Sequence, residues 1–222
     1  MRGMEQQPQI VIDMKLRISS TVVSVLVGIA WAGAVLSGFY RMRIYETTPG
    51  PVGRPPESWP ATTLIRRVVG RPNLLMAVHP KCPCTRASLT TLAAILGQST
   101  TVVSVRLLVF RSATAAGNAG EPPIFSAVEL PGEVRVDDPG GVEAKRFGLA
   151  TSGRTIVFDA AGLRQFAGGL NPARGRSEIS DGGEAVPALF QGDEALRDVA
   201  EVFGCALCAS TGQQSATREE RR

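Results

Sequence analysis

The chain has 222 residues, 24 Lys and Arg against 20 Asp and Glu, and a formal net charge of +4. That length holds one domain of about 140–160 residues plus appendages. The charge is small and scattered, and no basic stripe carries interleaved aromatics, which argues against nucleic-acid binding.

Residues 1–17 read as a short polar tail. From Ile18 to Tyr40 no residue is charged, and a helix of that length can cross a hydrocarbon core of about 30 Å. Lys15 and Arg17 precede the run, Arg41 and Arg43 follow it, and Phe39 and Tyr40 suit a membrane interface. A buried globular helix would show a polar face, and this run has none. A cleavable signal peptide ending at Ala32-Gly33-Ala34 is the rival reading, but the apolar character continues to Tyr40 and favours an uncleaved anchor over 18–40. Flanking Lys and Arg are similar on the two sides, so the positive-inside rule barely orients it. A short tail before a long domain puts the domain outside the cytoplasm. That makes a single-pass inner-membrane protein with its domain in the periplasm, where the cell has an outer membrane.

Residues 41–61 hold Pro49, Gly50, Pro51, Gly53, Pro55, Pro56 and Pro60, which reads as a semi-extended tether lifting the domain off the membrane. Residues 62–208 alternate in type. A helix is expected at 62–69 and a strand at 74–79. The spacing of Leu89, Leu92, Ala93 and Leu96 predicts a helix over 84–97. A buried strand follows at 102–110, then a loop at 111–121 and a short helix opened by Pro122-Pro123 and running to 129. A strand at 134–136 ends in Asp137-Asp138. A helix follows over 140–147, with Gly148 ending it. Strands at 155–159 and 163–167 form a hairpin, and a last helix begins at 184 or 193 and ends near 203. Residues 209–222 lack apolar content and read as a disordered tail.

This order makes an α/β sheet flanked by helices. It resembles the thioredoxin-like superfamily over about residues 70–204, particularly membrane-tethered members related to peroxiredoxins and thiol–disulfide reductases. The shared features are strand, Cys turn, helix, strand, a short strand ending in Asp, helix, and a hairpin with Asp159-Ala160-Ala161-Gly162. Three segments, HPKCPCTRASL at 79–89, RFGLATSGRTIVFDAAG at 146–162 and FAGGLNPARG at 166–175, look like a small group labelled RedB, which implies no substrate.

The chemistry concentrates at Cys82-Pro83-Cys84, between a strand end and a helix start. Unpaired N–H groups and the helix dipole there favour a thiolate. Pro83 suits the first helical position, which makes Cys82 the N-cap and exposed nucleophile and Cys84 the resolving thiol; Lys81 adds positive charge. The rival readings are a static disulfide or a copper or zinc site formed by Cys82, Cys84 and His79, the only histidine. With a redox disulfide no cofactor is needed.

The superfamily resemblance implies a cis-proline loop facing the cysteines. Its position falls in Thr151-Ser152-Gly153, where no proline occurs and glycine can supply an unusual backbone conformation. A hairpin begun at the cysteine end must finish there, so Gly168–Arg176 should emerge beside Cys82, with Arg174 and Arg176 able to favour its thiolate. The last helix should then carry Cys205 and Cys208 to the far end, joined as a local structural disulfide. Three functions remain open: a membrane-tethered oxidoreductase acting on protein thiols or disulfides, a metal-binding module, and a non-catalytic interaction domain.

Overall fold

The computed structural model describes residues 20–112, 125, 128, 130–192 and 200–207. The tails at 1–17 and 209–222, most of the loop at 111–121 and of the helix at 122–129, residues 193–199 and Cys208 lie outside the described residues. The chain forms two compact units, Met1–Arg43 and Ile44–Arg222.

Helix α1 runs Ser20–Thr47, buries none of its residues, and is long and apolar enough to cross a membrane. The second unit is built on β1 (Asn73–Val78), α2 (Pro83–Gly97), β2 (Ser104–Arg111), β3 (Val134–Pro139), α3 (Val142–Arg146), β4 (Thr155–Phe158), β5 (Arg164–Gly168) and α4 (Asp181–Phe190). The strands form one mixed sheet in the order β3-β2-β1-β4-β5. β1 pairs parallel with β2, β2 parallel with β3, β1 antiparallel with β4, and β4 antiparallel with β5. This is the thioredoxin-like arrangement, with β1 at the centre.

After Asn73, β1 is apolar because both of its edges are paired and both faces covered. Leu74, Met76 and Val78 point to one face and meet Leu89, Leu92 and Ile95 of α2 and Val186, Leu189 and Phe190 of α4. Leu75 and Ala77 point to the other face, toward Phe147, Leu149, Ile156 and Phe158. Each large apolar side chain buried this way stabilises the fold by about 1.5–3 kcal/mol. The two buried faces fix the register of β1 between β2 and β4.

Three expectations need correction. Residues 62–69 form no helix. Thr63 Oγ1 and the Leu64 N–H reach the Glu143 carboxylate, and Asn73 takes both the N–H and the carbonyl of Val68, so this backbone finds distant side-chain partners. Residues 50–60 are extended but do not stand free. Gly50 N donates to Val202 O at 2.7 Å, Trp59 N to Gly162 O at 2.9 Å, and Arg164 N to Glu57 O at 2.8 Å. Gly53 lies directly on the Gly148 backbone, and Trp59 packs edge-on against Phe147 and Phe158. This stretch is a strap laid along the domain. Finally, the last described helix is Asp181–Phe190. Ser180 caps it by accepting from Gly183 N, and Gly192, at φ 89°, lies just past its end.

When the described chain resumes, Ala200 O accepts from Gly169 N, and the segment runs to the cysteine end of the sheet. There Ala206 bridges Thr151, and Leu207 N donates to Ala150 O at 2.9 Å.

Candidate redox site

Cys82 is the N-cap of α2, with extended backbone (φ −86°, ψ 119°), and Pro83 opens the helix as its missing N–H allows. Cys82 N donates to His79 O at 3.0 Å, and Thr85 N donates to Cys82 O at 3.1 Å, which makes a tight turn out of β1. The exposed nucleophile expected here is not exposed: Cys82 is 1% accessible and Cys84 4%, because the loops behind the hairpin and the returning C-terminal segment cover them.

Loop 151–153 lies against the turn from β1 into α2. Ser152 Oγ accepts from His79 N at 2.9 Å and lies 2.9 Å from Thr85 Oγ1, and Gly153 N donates to Ala77 O at 2.8 Å. The described chain holds no cis peptide; Gly153 takes φ 87° instead. A Cβ there would stand 2.7 Å from Ser88 Oγ, so both the backbone angle and the close approach require glycine.

The hairpin also returns to this end. Gly175 donates its N–H to the Cys84 sulfur, and Arg174 acts electrostatically on Cys84 and Cys205. Arg174 is held by Gly204 O at 2.6 Å and Thr48 O at 3.2 Å, and it stacks over Tyr45. Its influence falls on those two thiols instead of on Cys82. Arg176 does not join the site. It is exposed and pairs with Glu178 at 3.6 Å.

Cys205 is the residue that sequence reading misplaced. It lies beside Cys82, not at the far end, because the segment 200–207 pairs first with Gly169 and then with the loop at 150–152. Its carbonyl accepts from Ser152 N at 2.9 Å, and its thiol is free and part-exposed. Gly192 just past Phe190 was the available signal for the early helix end.

The three thiols differ in acidity. Burial pushes the Cys82 thiol up, but hydrogen bonds from the Cys205 thiol, from the backbone N–H groups of Cys205 and Cys84, and from Thr85 outweigh it and leave its pKa lowered. Burial pushes Cys84 up, and the neighbouring Cys82 sulfur pushes it further. Burial, with hydrogen bonding and charge at Cys82, pushes Cys205 up to about 12. Cys82 is therefore the most acidic of the three thiols.

His79 turns away from them. Its ring stacks on Phe110 with centroids 5.5 Å apart, and its Nδ1 accepts from Lys81 N at 3.2 Å. Burial, then the Lys81 charge, lowers its pKa. Among the described residues no group of three or more His, Cys, Asp or Glu is arranged to hold a metal ion.

A thioredoxin-like fold with a thiol cluster at the β1–α2 junction is the class these features define. No family model matches the chain, and no curated protein does. Solved structures do. A hypothetical protein from Sinorhizobium meliloti is 18% identical, with TM-score 0.50 over 64% of this chain and 81% of that one. An uncharacterized conserved protein from Geobacillus kaustophilus is 19% identical, with TM-score 0.50 over 75% and 96%. A secreted Mycobacterium tuberculosis disulfide oxidoreductase homologous to E. coli DsbE is 17% identical, with TM-score 0.40 over 56% and 83%. The first two show likeness of fold alone, and the third adds nothing to it.

Proposed function

We propose that this chain is a membrane-tethered thiol–disulfide oxidoreductase whose domain lies outside the cytoplasm. Cys82 is the exchanging sulfur, and protein thiols or disulfides are its partners. The observation that carries this reading is the lowered pKa of Cys82 at the N-cap of α2, beside further thiols whose pKa values are raised. Exchange needs a thiolate to attack or to leave, and a second thiol to close the cycle. The redox centre uses no cofactor. Kinship with the RedB group, carried by 79–89, 146–162 and 166–175, belongs to the same proposal.

The test is a redox titration of the full chain in detergent against glutathione buffers. The expected result is a reversible two-electron couple that Cys82→Ser abolishes. A chain with no such couple, or one that keeps it without Cys82, is not an oxidoreductase of this kind.

A further inference from the structure

Resting on that reading, we propose that the disulfide made and broken during turnover joins Cys82 to Cys205, with Cys84 outside the exchanging pair.

Cys82 and Cys84 are the N-cap and second residue of one helix start, separated by Pro83. Positions two apart on a helix do not face each other, and Pro83 fixes its own φ. Bridging them would require the backbone that carries the Thr85 N–Cys82 O bond to move. Cys205 comes from a separate segment, held to the loop that faces Cys82 and not to the helix start. Ser152 sets the approach: its N–H holds the Cys205 carbonyl, while its Oγ contacts Thr85 and accepts from His79 N, the two residues that bracket Cys82. The bridge from Thr151 to Ala206 and the bond from Leu207 N to Ala150 O fix the segment on the far side. The thiols of Cys205 and Cys84 both bond to the Cys82 sulfur, and the helix start that carries Cys84 leaves Cys205 as the one placed to bridge it.

Exposure gives the order of events. Cys205 is part-exposed and Cys82 is buried, so an incoming substrate thiolate reaches the Cys205 sulfur of the oxidised pair. A bond forms from the substrate sulfur to Cys205, the Cys82–Cys205 bond breaks, and its electron pair stays on Cys82. The Cys84 and Cys205 backbone N–H groups hold that charge. A second substrate thiolate then attacks the first substrate sulfur, forms the substrate disulfide, and releases Cys205, which takes a proton. The substrate dithiol loses two electrons and two protons, and the pair gains both electrons. The ligand class is therefore a protein dithiol, and the reverse sequence reduces its disulfide.

The test uses the full chain in detergent, equilibrated in glutathione buffers, acid-quenched, alkylated and digested for mass spectrometry. The expected linkage is Cys82–Cys205, kept in Cys84→Ser and lost in Cys205→Ser, whereas Cys82→Ser, lacking the sulfur that displaces it, should hold glutathione on Cys205 about tenfold longer as a mixed disulfide. A Cys82–Cys84 or Cys205–Cys208 linkage in the wild type overturns the proposal, as does loss of the couple in Cys84→Ser. Mapping the wild type decides the matter even if Cys205→Ser fails to fold. Failure of the couple in every protein, or its survival in Cys82→Ser, overturns the oxidoreductase reading itself.

Discussion

Ser152 donates its backbone N–H to the Cys205 carbonyl at 2.9 Å, and this contact ties the C-terminal segment to the loop that faces the β1–α2 cysteines. It brings together residues more than fifty positions apart that the helix pattern alone sends to opposite ends.

Arg174 and Arg176 separate cleanly. Arg174 lies against Cys84 and Cys205, whereas Arg176 pairs with Glu178. Arg174→Gln should raise the pKa of both thiols further and slow their alkylation at alkaline pH, because a nearby positive charge favours a thiolate. Arg176→Gln should leave all three thiols unchanged. Thiolate absorbance followed against pH in the two variants checks this, and equal effects would contradict the placement.

The depressed pKa of Cys82 predicts the pH dependence of stability in the reduced protein. Below its folded pKa both states are protonated and the thiol contributes nothing. Above that point the unfolded chain still binds the proton until about pH 8.5, so stability rises with pH. The contribution is full above about pH 8.5 and is lost as pH falls through the folded pKa. Raised Cys84 and Cys205 act oppositely, losing their contribution as pH rises above about 8.5. Denaturant midpoints of wild type minus Cys82→Ser, taken across pH, should climb and then level; a flat difference would mean Cys82 is not perturbed.

Gly53 tests whether 50–60 is a strap. A Cβ at this position would overlap the Gly148 carbonyl, backbone that cannot give way cheaply. Gly53→Ala should destabilise the domain by about 1–3 kcal/mol, measured by denaturant unfolding. A free tether would tolerate the change within experimental error.

Arg154 is 1% accessible, and its three guanidinium nitrogens find no hydrogen-bond partner among the described residues. Burial, with the nearby Arg164 charge, lowers its pKa. An unsatisfied buried donor is costly, so Arg154→Met should raise the unfolding free energy by about 1–3 kcal/mol. A loss of stability instead would reveal a partner for the guanidinium.

The length and apolarity of α1 motivate a topology test. A reporter active only outside the cytoplasm, fused after Arg222, should give signal in the membrane fraction. A soluble mature chain beginning near Val35 would remove the anchor.

Much of this fold could be read from residue patterns. The apolar run before Cys82 and the spacing from Leu89 to Leu96 mark β1 and α2 because their burial is periodic. The Asp159–Gly162 turn marks the hairpin because its signal is local. Residues 62–69 misled because what decides their backbone is Glu143 and Asn73, supplied by tertiary structure. Cys82 and Cys84 were identifiable from position, but their burial was not, since the covering chain comes from 151–153 and 200–207. The place of Cys205 is not legible in the helix pattern, because it is set by the pairing of 200–207 with the loop at 150–152, which is tertiary structure.

The Gly50–Val202 hydrogen bond has a mechanical consequence. Thr151 reinforces it, donating its hydroxyl to Pro51 O while its backbone bridges Ala206. A tensile load applied to the chain at Thr48 would meet this clasp before it met any strand of the sheet. The clasp sits three residues from Cys205, so a pull at Thr48 is carried into the same segment that Ser152 holds by its backbone N–H.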